Sequence, residues 1–526
     1  MEDRSHRVRK LGATCLKSWA LYLCLTSLGR ANADATVSPD FPYCSKHIEN
    51  NAIQRLATPD KYTLLQVQVI MRHGARTLAS RSSCWAGYNV TWTCNARMHV
   101  APHLDGDTTA HHVYDNKYVE GETVLKGNCH LGQLLDEGYN QELQNGRTFR
   151  KAYIDSNTLF RATERVDLSN ATDFYLSSTD MQRTVMSGQL VVDAMFPPTM
   201  TTDAVVAWHV GDIAQSSFVP NEKSCPKLID VKAQYEASAG YEQWLADHAP
   251  TVDLTKSIFH TYDPRILFDC LLTSRCSQPA SLPSTLTPAQ YDEIVFFERD
   301  KRMKIFMEDP TYAKLSMAKV LLAIRTRLLA RVDGAIGPRF AFYSGHDDTV
   351  MPVLAALGGA DWLHDWPPYA AYFAIELYED AQSNFYVRFL YQGTPLTLPG
   401  CGVDSLCPLD VFKNATAYAT DVNICATSLK VVGPTSATSP PTAADMDESE
   451  TNVSFKALVL FVFVGVLLGV AFGLIIARAL AKNGQGAMVL AKDGLEGPNK
   501  SSIQGGDDET GEHDELLSCQ SPKHHV

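Results

Sequence analysis

No Cys-x-x-Cys pair occurs among the 13 cysteines of this 526-residue chain. Structural zinc sites are commonly built on that spacing, so a zinc-ribbon reading has little to stand on. Basic charge is also short: 46 Lys and Arg face 59 Asp and Glu, a formal net charge of −13. A nucleic-acid binder needs a basic surface stripe, and the sequence offers none. No repeat of fixed period runs through the chain, which sets aside solenoids and propellers. His99, His103, His111 and His112 fall in a polar, loop-like stretch without supporting carboxylate spacing, so they read as surface histidines rather than metal ligands.

What is present begins with the ends. Arg4, Arg7, Arg9 and Lys10 precede an apolar block, Trp19 to Leu25, which runs out near Ala31-Asn32-Ala33. A basic start, a short apolar middle and an A-x-A site mark residues 1–33 as a signal peptide cleaved after Ala33. Lys17 interrupts the apolar stretch, so an uncleaved anchor is the alternative. Near the other end, Ala457 to Ala477 is an uncharged apolar run of 21 residues. At about 1.5 Å rise per residue it spans the hydrocarbon core, giving a transmembrane helix over 455–477. Asp445, Asp447, Glu448 and Glu450 lie upstream, Arg478 and Lys482 downstream. The positive side faces the cytosol, so the chain reads as a single-pass type I protein.

The cysteines agree. Setting aside Cys15, Cys24 and Cys519 leaves ten, all between Cys44 and Cys425 on the lumenal side. An even number in a secretory context reads as disulfides. Sequons at Asn89, Asn170 and Asn414 fit a glycosylated ectodomain, while Asn452 lies against the membrane. In the tail, Glu512-His513-Asp514-Glu515-Leu516-Leu517 resembles an acidic dileucine signal, with Glu512, Leu516 and Leu517 as its elements. Such a signal is read by adaptor proteins and sends its bearer to endosomes or lysosomes, with the cell surface as the alternative location. The other reading is a disordered acidic tail with a chance Leu pair.

Residues 34–430 form the ectodomain, 431–454 a Pro/Thr/Ser-rich stalk and 478–526 the cytoplasmic tail. The ectodomain exceeds what one core usually fills, so a main domain is expected with a smaller, mainly helical cap over approximately 80–130 and 196–320. Helical spacing predicts helices over 131–153 and 316–332. A strand over Phe174 to Asp180 is expected to lead into a helix capped by Thr179 or Asp180 and carrying Arg183. Ala204 to Val210 reads as a further strand. Tyr372 to Tyr378 and Phe385 to Tyr391 read as an antiparallel pair.

Two strand ends carry chemistry. Leu64 to Met71 is a short, β-branched-rich run, hence a buried strand, and it ends in Arg72-His73-Gly74-Ala75-Arg76. Gly74 is expected to leave room for a ligand at the backbone. Cations gathered beside a histidine favour an anion among them, and the guanidinium fork matches phosphate. Spacing alone equally allows a surface loop with solvated arginines. Arg339 to Gly345 repeats the pattern and ends in His346-Asp347-Asp348. Two such ends can converge at one edge of a parallel sheet.

Arg72-His73-Gly74-Ala75-Arg76 resembles the R-H-G-x-R signature of the histidine acid phosphatases. Ser344-Gly345-His346-Asp347 resembles their H-D motif, and Ser177 to Thr184 the stretch that supplies another arginine. Pro367-Pro368-Tyr369-Ala370 and Leu398-Pro399-Gly400-Cys401 extend the likeness along nearly the whole ectodomain. The layout resembles the membrane-bound acid phosphatases of kinetoplastid parasites. The resemblance implies a mostly parallel central sheet flanked by helices. It implies a phosphohistidine enzyme with no cofactor or metal, acting on phosphomonoesters. His73 is then the nucleophile and Asp347 the proton donor, with Arg72, Arg76, Arg183 and His346 on the phosphoryl oxygens. A homodimer is compatible with this reading.

Asp348 stands where relatives carry Thr or Ser. It is expected to be a helix cap, with an effect on the Asp347 pKa as the alternative. The resemblance also implies Cys401–Cys407 and Cys225–Cys425 disulfides. Cys270 is expected to pair with Cys276, while Cys44, Cys84, Cys94 and Cys129 stay open. Two rival functions remain: a narrower lipid-phosphate or phosphosugar phosphatase, and a catalytically silent receptor or trafficking ectodomain.

Overall fold

The computed structural model describes residues 42–44, 52–80, 83–95, 118, 121–202, 205–278 and 281–426. All belong to the first of two units into which the chain divides, 1–430 and 431–526. The signal peptide, the stalk, the segment 455–477, the tail signal at Glu512, Leu516 and Leu517, and the four histidines from His99 to His112 lie outside the described residues.

The chain runs β1 (Tyr62–Arg72), α1 (Asp136–Tyr153), β2 (Phe174–Thr179), α2 (Gln182–Met195) and β3 (Trp208–Gly211). A helical stretch follows: α3 (Lys227–Glu236), α4 (Ala239–Asp247), α5 (Ala249–Phe259), α6 (Pro264–Ser277) and α7 (Pro288–Glu308). Then come α8 (Pro310–Val332), β4 (Phe340–Gly345) and α9 (Asp347–Gly358). The last elements are β5 (Tyr372–Asp380), β6 (Phe385–Tyr391), β7 (Thr394–Leu396), β8 (Cys407–Pro408) and α10 (Leu409–Ala415).

The strands form one sheet in the order β3-β2-β4-β1-β5-β6-β7, with β8 on β6. The pairs from β3 to β1 are parallel. Those from β1 to β8 are antiparallel. The sheet is therefore mixed rather than mostly parallel. Only four residues, Ala381 to Asn384, join β5 to β6. A parallel pair needs a crossover of about a dozen or more, so this connection permits only a hairpin.

Both faces of the sheet are covered. Val67, Val69 and Met71 of β1 pack with Phe149 and Tyr153 of α1 and Val191 and Val192 of α2. Ile70 points the other way, into a cluster with Leu321 and Ile324 of α8 and Val350 and Leu354 of α9. This is the period-two alternation of a strand between two helix layers. Gln66 and Gln68 share the α8 face and are fully satisfied there. Gln66 Nε2 donates to the Pro338 carbonyl at 2.6 Å, Gln68 Nε2 to the Ile324 carbonyl at 2.9 Å. The Tyr343 hydroxyl donates to Gln68 Oε1 at 2.9 Å. Left unpaired, each such buried group would cost about 1–3 kcal/mol.

Two glycines fix how α1 meets the end of β1. A Cβ on Gly74 would lie 2.5 Å from the Gly138 carbonyl oxygen, and one on Gly138 would lie 2.2 Å from that of Ala75. Gly74 thus makes room for the α1 backbone, not for a ligand. The same contact explains a glycine inside α1. Elsewhere, the N-cap of α2 is Met181 rather than Thr179 or Asp180. Asp180 instead accepts from the Ile213 backbone N–H at 3.1 Å, beyond β3. β3 itself is confined to Trp208–Gly211, shorter than the apolar run suggested.

The ten cysteines form five disulfides: Cys44–Cys276, Cys84–Cys270, Cys94–Cys129, Cys225–Cys425 and Cys401–Cys407. The expected Cys270–Cys276 pair does not form. Both residues lie on α6. Six residues of helix separate their Cα atoms by about 9 Å, beyond the roughly 7 Å a disulfide tolerates. Each reaches a different partner. Asn89 and Asn414 are exposed, and Asn170 is half-buried.

Candidate active site

β1 and β4 are adjacent, with Arg72 opposite Gly345. The two strands therefore end at one edge, and the rings of His73 and His346 meet edge to face at 5.6 Å between centroids. β2 lies on the other side of β4, with Ser178 opposite Ser344. α2 starts just after it and carries Arg183 in its first turn. The C-terminal edge of parallel strands is where α/β folds place ligands.

His73 is 2% exposed. Its Nδ1 lies 2.8 Å from the Gly74 carbonyl oxygen. A carbonyl only accepts, so Nδ1 carries the proton and the lone pair is on Nε2. Burial, followed by the charges of Arg183, Arg72, His346 and Arg76, pushes the ring pKa well below its ordinary 6.5. Both effects favour the neutral imidazole.

Three guanidiniums surround it in different states. Arg72 is fully buried and lies behind the cavity wall rather than in it. Nη1 donates to the Pro367 carbonyl at 2.6 Å and Nη2 to the Tyr43 hydroxyl at 2.8 Å. The rings of Tyr43 and Tyr369 stand 4.5 and 4.3 Å from its guanidinium carbon. Arg76 pairs with Asp269 of α6 at 2.6 Å. Asp269 is held in turn by the Ala79 N–H at 2.8 Å and the Ser80 N–H and hydroxyl at 3.1 and 2.9 Å. Arg183 has no carboxylate partner among the described residues. Burial, then the nearby Arg76, lowers its pKa to about 9. A cation held at such a cost is stabilised by an arriving anion. Gly132 clears space for it, since a Cβ there would fall 2.7 Å from Nη1.

His346 is 5% exposed, and its Nε2 lies 3.0 Å from the Thr179 hydroxyl. Burial first, then Arg183, lowers its pKa to about 3. Asp347 is the first residue of α9. Its Oδ2 accepts from Arg72 Nη2 and Trp366 Nε1, both at 3.0 Å, and its Oδ1 from the Asp348 N–H at 3.0 Å. Burial raises its pKa, but Arg72, with Arg302, Arg76 and His346, outweighs this and holds the carboxyl well below the usual range.

Asp348 is not the cap of α9; His346 holds that position. Asp348 pairs with Arg302 of α7 at 2.8 Å. Burial raises its pKa, Arg302 opposes this, and Asp347 adds to the rise.

The expected residues His73, Arg76, Arg183, His346 and Asp347 line one cavity. The sequence reading missed Tyr43, Asp269, Arg302 and Trp366, and it gave Tyr369 no role. A cluster of three guanidiniums signals that carboxylates are near. It does not single out Asp269 from the 59 acidic residues.

Residues 63–392 match the histidine phosphatase superfamily (branch 2). The chain belongs to that superfamily. It is accordingly a phosphomonoesterase. It is similar to counting factor 60 of Dictyostelium discoideum, 28% identical over 377 residues, covering 68% of this chain and 86% of the relative. It is also similar to human lysophosphatidic acid phosphatase type 6, 26% identical over 374 residues, covering 68% of this chain and 83% of the relative. Bovine lysosomal acid phosphatase is 25% identical over 320 residues, covering 54% of this chain and 70% of the relative.

Proposed function

We propose that this histidine phosphatase hydrolyses phosphate monoesters through a phosphohistidine on His73, without a metal, on the lumenal side of a membrane. The observation that carries this is the Nδ1 contact with the Gly74 carbonyl, because it leaves Nε2 as a fixed, neutral nucleophile. In the first step the Nε2 lone pair forms the N–P bond as the ester P–O bond breaks. Asp347 gives its proton to the departing alcohol. Water then attacks phosphorus, its proton passes to Asp347, and the N–P electrons return to Nε2.

Arg76, Arg183 and His346 hold the phosphoryl oxygens, and Arg72 adds charge from behind. Among the described residues the three guanidiniums pair with two carboxylates, Asp347 and Asp269, so charge remains for the transition state. This surplus does the work that a metal does elsewhere. Asp347 must gain a proton that the neighbouring guanidiniums, Arg72 first among them, resist. A phosphate monoester has a second pKa near about 6, so in acid it arrives carrying one. Its negative charge also cancels the guanidiniums that hold the Asp347 pKa down. Turnover is therefore favoured on the acid side. Acid does not at once remove the nucleophile, because burial and the nearby guanidiniums lower the His73 pKa and favour its neutral form.

Full-length protein mixed with labelled ester and quenched is expected to carry one acid-labile, alkali-stable phosphate. Turnover is expected to survive a chelator. A phosphoenzyme absent in every quench, or activity lost to chelator and restored by metal, overturns the mechanism.

Five disulfides require an oxidising compartment. The similarity to a lysosomal acid phosphatase points the same way. We propose type I anchorage with delivery to endosomes or lysosomes by the Glu512, Leu516 and Leu517 signal. Leu516→Ala with Leu517→Ala is expected to move the protein to the cell surface, and an unchanged location removes the sorting proposal.

A further inference from the structure

The phosphate-binding residues form the floor of a cavity of about 920 Å³. Above that floor the wall changes character. Five carboxylates line it, those of Glu222, Glu236, Asp263, Glu298 and Asp348. Among the described residues three cations accompany them, Lys232, Lys301 and Arg302. Two of the three are already engaged. Arg302 pairs with Asp348 at 2.8 Å, and Lys301 Nζ donates to the Tyr262 hydroxyl at 2.9 Å.

A substrate with several phosphates would set its remaining charges, about −1.5 to −2 each, against this acidic wall. Like charges so placed oppose binding. A long acyl chain could lie along Ile213, Val219, Pro220 and Ile305, but it would also desolvate the charged groups of the same lining without pairing them.

The lining also carries aromatic rings, among them Tyr235, Tyr241, Phe306 and Tyr312, and the apolar Ile213, Val219, Pro220 and Ile305. Glu298 completes the picture. It is 4% exposed, Tyr262 hydrogen-bonds to it, and its Oε1 has no partner among the described residues. A carboxylate oxygen in that state calls for a hydrogen-bond donor. Ring faces that stack C–H groups, beside carboxylates that accept hydroxyl protons, are the chemistry of sugar recognition.

We infer that the upper wall of this cavity is a leaving-group subsite for singly phosphorylated sugars, in which Glu236 and Glu298 accept from the hydroxyls. The inference rests on the phosphomonoesterase reading above. It excludes polyphosphorylated polyols and lysophospholipids as preferred substrates.

The test compares kcat/KM of the full chain on an aryl phosphate, a hexose 6-phosphate, a lysophosphatidate and inositol hexakisphosphate. The hexose ester is expected to exceed the last two by about tenfold or more, the scale of a donor that a buried acceptor would otherwise miss. Glu236→Lys and Glu298→Gln are each expected to lower the ratio of hexose to aryl ester about tenfold. Glu236→Lys also raises turnover of the hexakisphosphate. Glu236 is exposed, so its variant keeps the test open if the buried change disturbs folding. Aryl phosphate hydrolysis with a preference for the lysophosphatidate or the hexakisphosphate overturns the subsite and leaves the phosphatase standing. Ratios unmoved by both variants do the same. Failure on every ester, the aryl one included, overturns the phosphatase reading and this inference with it.

Discussion

His73→Ala is expected to abolish turnover, with kcat falling about 10⁵-fold, the scale on which a covalent nucleophile is lost. The reason is positional. The bond from Nδ1 to the Gly74 carbonyl, 2.8 Å long, fixes both the tautomer and the ring plane. The other imidazole, His346, is held by Thr179 at 3.0 Å. Nearby, the described lining otherwise offers guanidiniums, the carboxylates of Asp347 and Asp269, and the hydroxyls of Tyr43 and Ser80, which are engaged by Arg72 and Asp269. The guanidiniums survive the substitution, so inorganic phosphate should still bind. A thermal midpoint that still rises with phosphate separates lost chemistry from lost folding. Turnover retained within about tenfold of wild type would mean that the phosphoryl group never passes through His73.

Much of this site could be read from the chain because two of its parts are local. Arg72, His73 and Arg76 follow one buried strand, and His346 and Asp347 follow another. Strands that end in titratable groups after apolar runs have few places to go in an α/β fold. The observed register, Arg72 opposite Gly345, is the outcome that brings the ends together. Arg183 was legible for the same reason, as a first-turn residue after a strand. What stayed hidden comes from elsewhere in the chain. Tyr43 lies 29 residues before Arg72, and Asp269 lies 193 residues after Arg76. No local pattern marks either one. The Cys84–Cys270 disulfide ties the loop after β1 to α6, and only the fold reveals that pairing.

The same contrast explains the sheet and the glycines. The turn between β5 and β6 is written in the sequence, but its consequence for the rest of the sheet depends on β1 pairing with β5. Gly74 looked like a ligand-facing glycine because a phosphate signature surrounds it. Its real neighbour is the backbone of α1, which no periodicity in either segment announces.

Asp347→Asn separates the two proton transfers. For esters of ordinary alcohols, kcat is expected to fall about 10²–10⁴-fold, because the leaving alkoxide needs a proton that an amide does not supply. For an aryl ester with an acidic phenol the first step is spared, since that leaving group departs unprotonated. The second step still lacks its base for water, so phosphoenzyme accumulates and a burst of phenol equal to the enzyme appears. On the proposed mechanism the geometry favours one oxygen as the place of the proton. Oδ2 already accepts from Arg72 and Trp366, both at 3.0 Å, whereas Oδ1 has only the Asp348 N–H at 3.0 Å. The acid proton therefore belongs on Oδ1. On the proposed mechanism, the Arg72 contact holds the Asp347 carboxyl ionised and the charge of an incoming phosphate relieves that hold. Equal losses for alkyl and aryl esters, with no burst, would make Asp347 a positioning group for Arg72 rather than the proton donor.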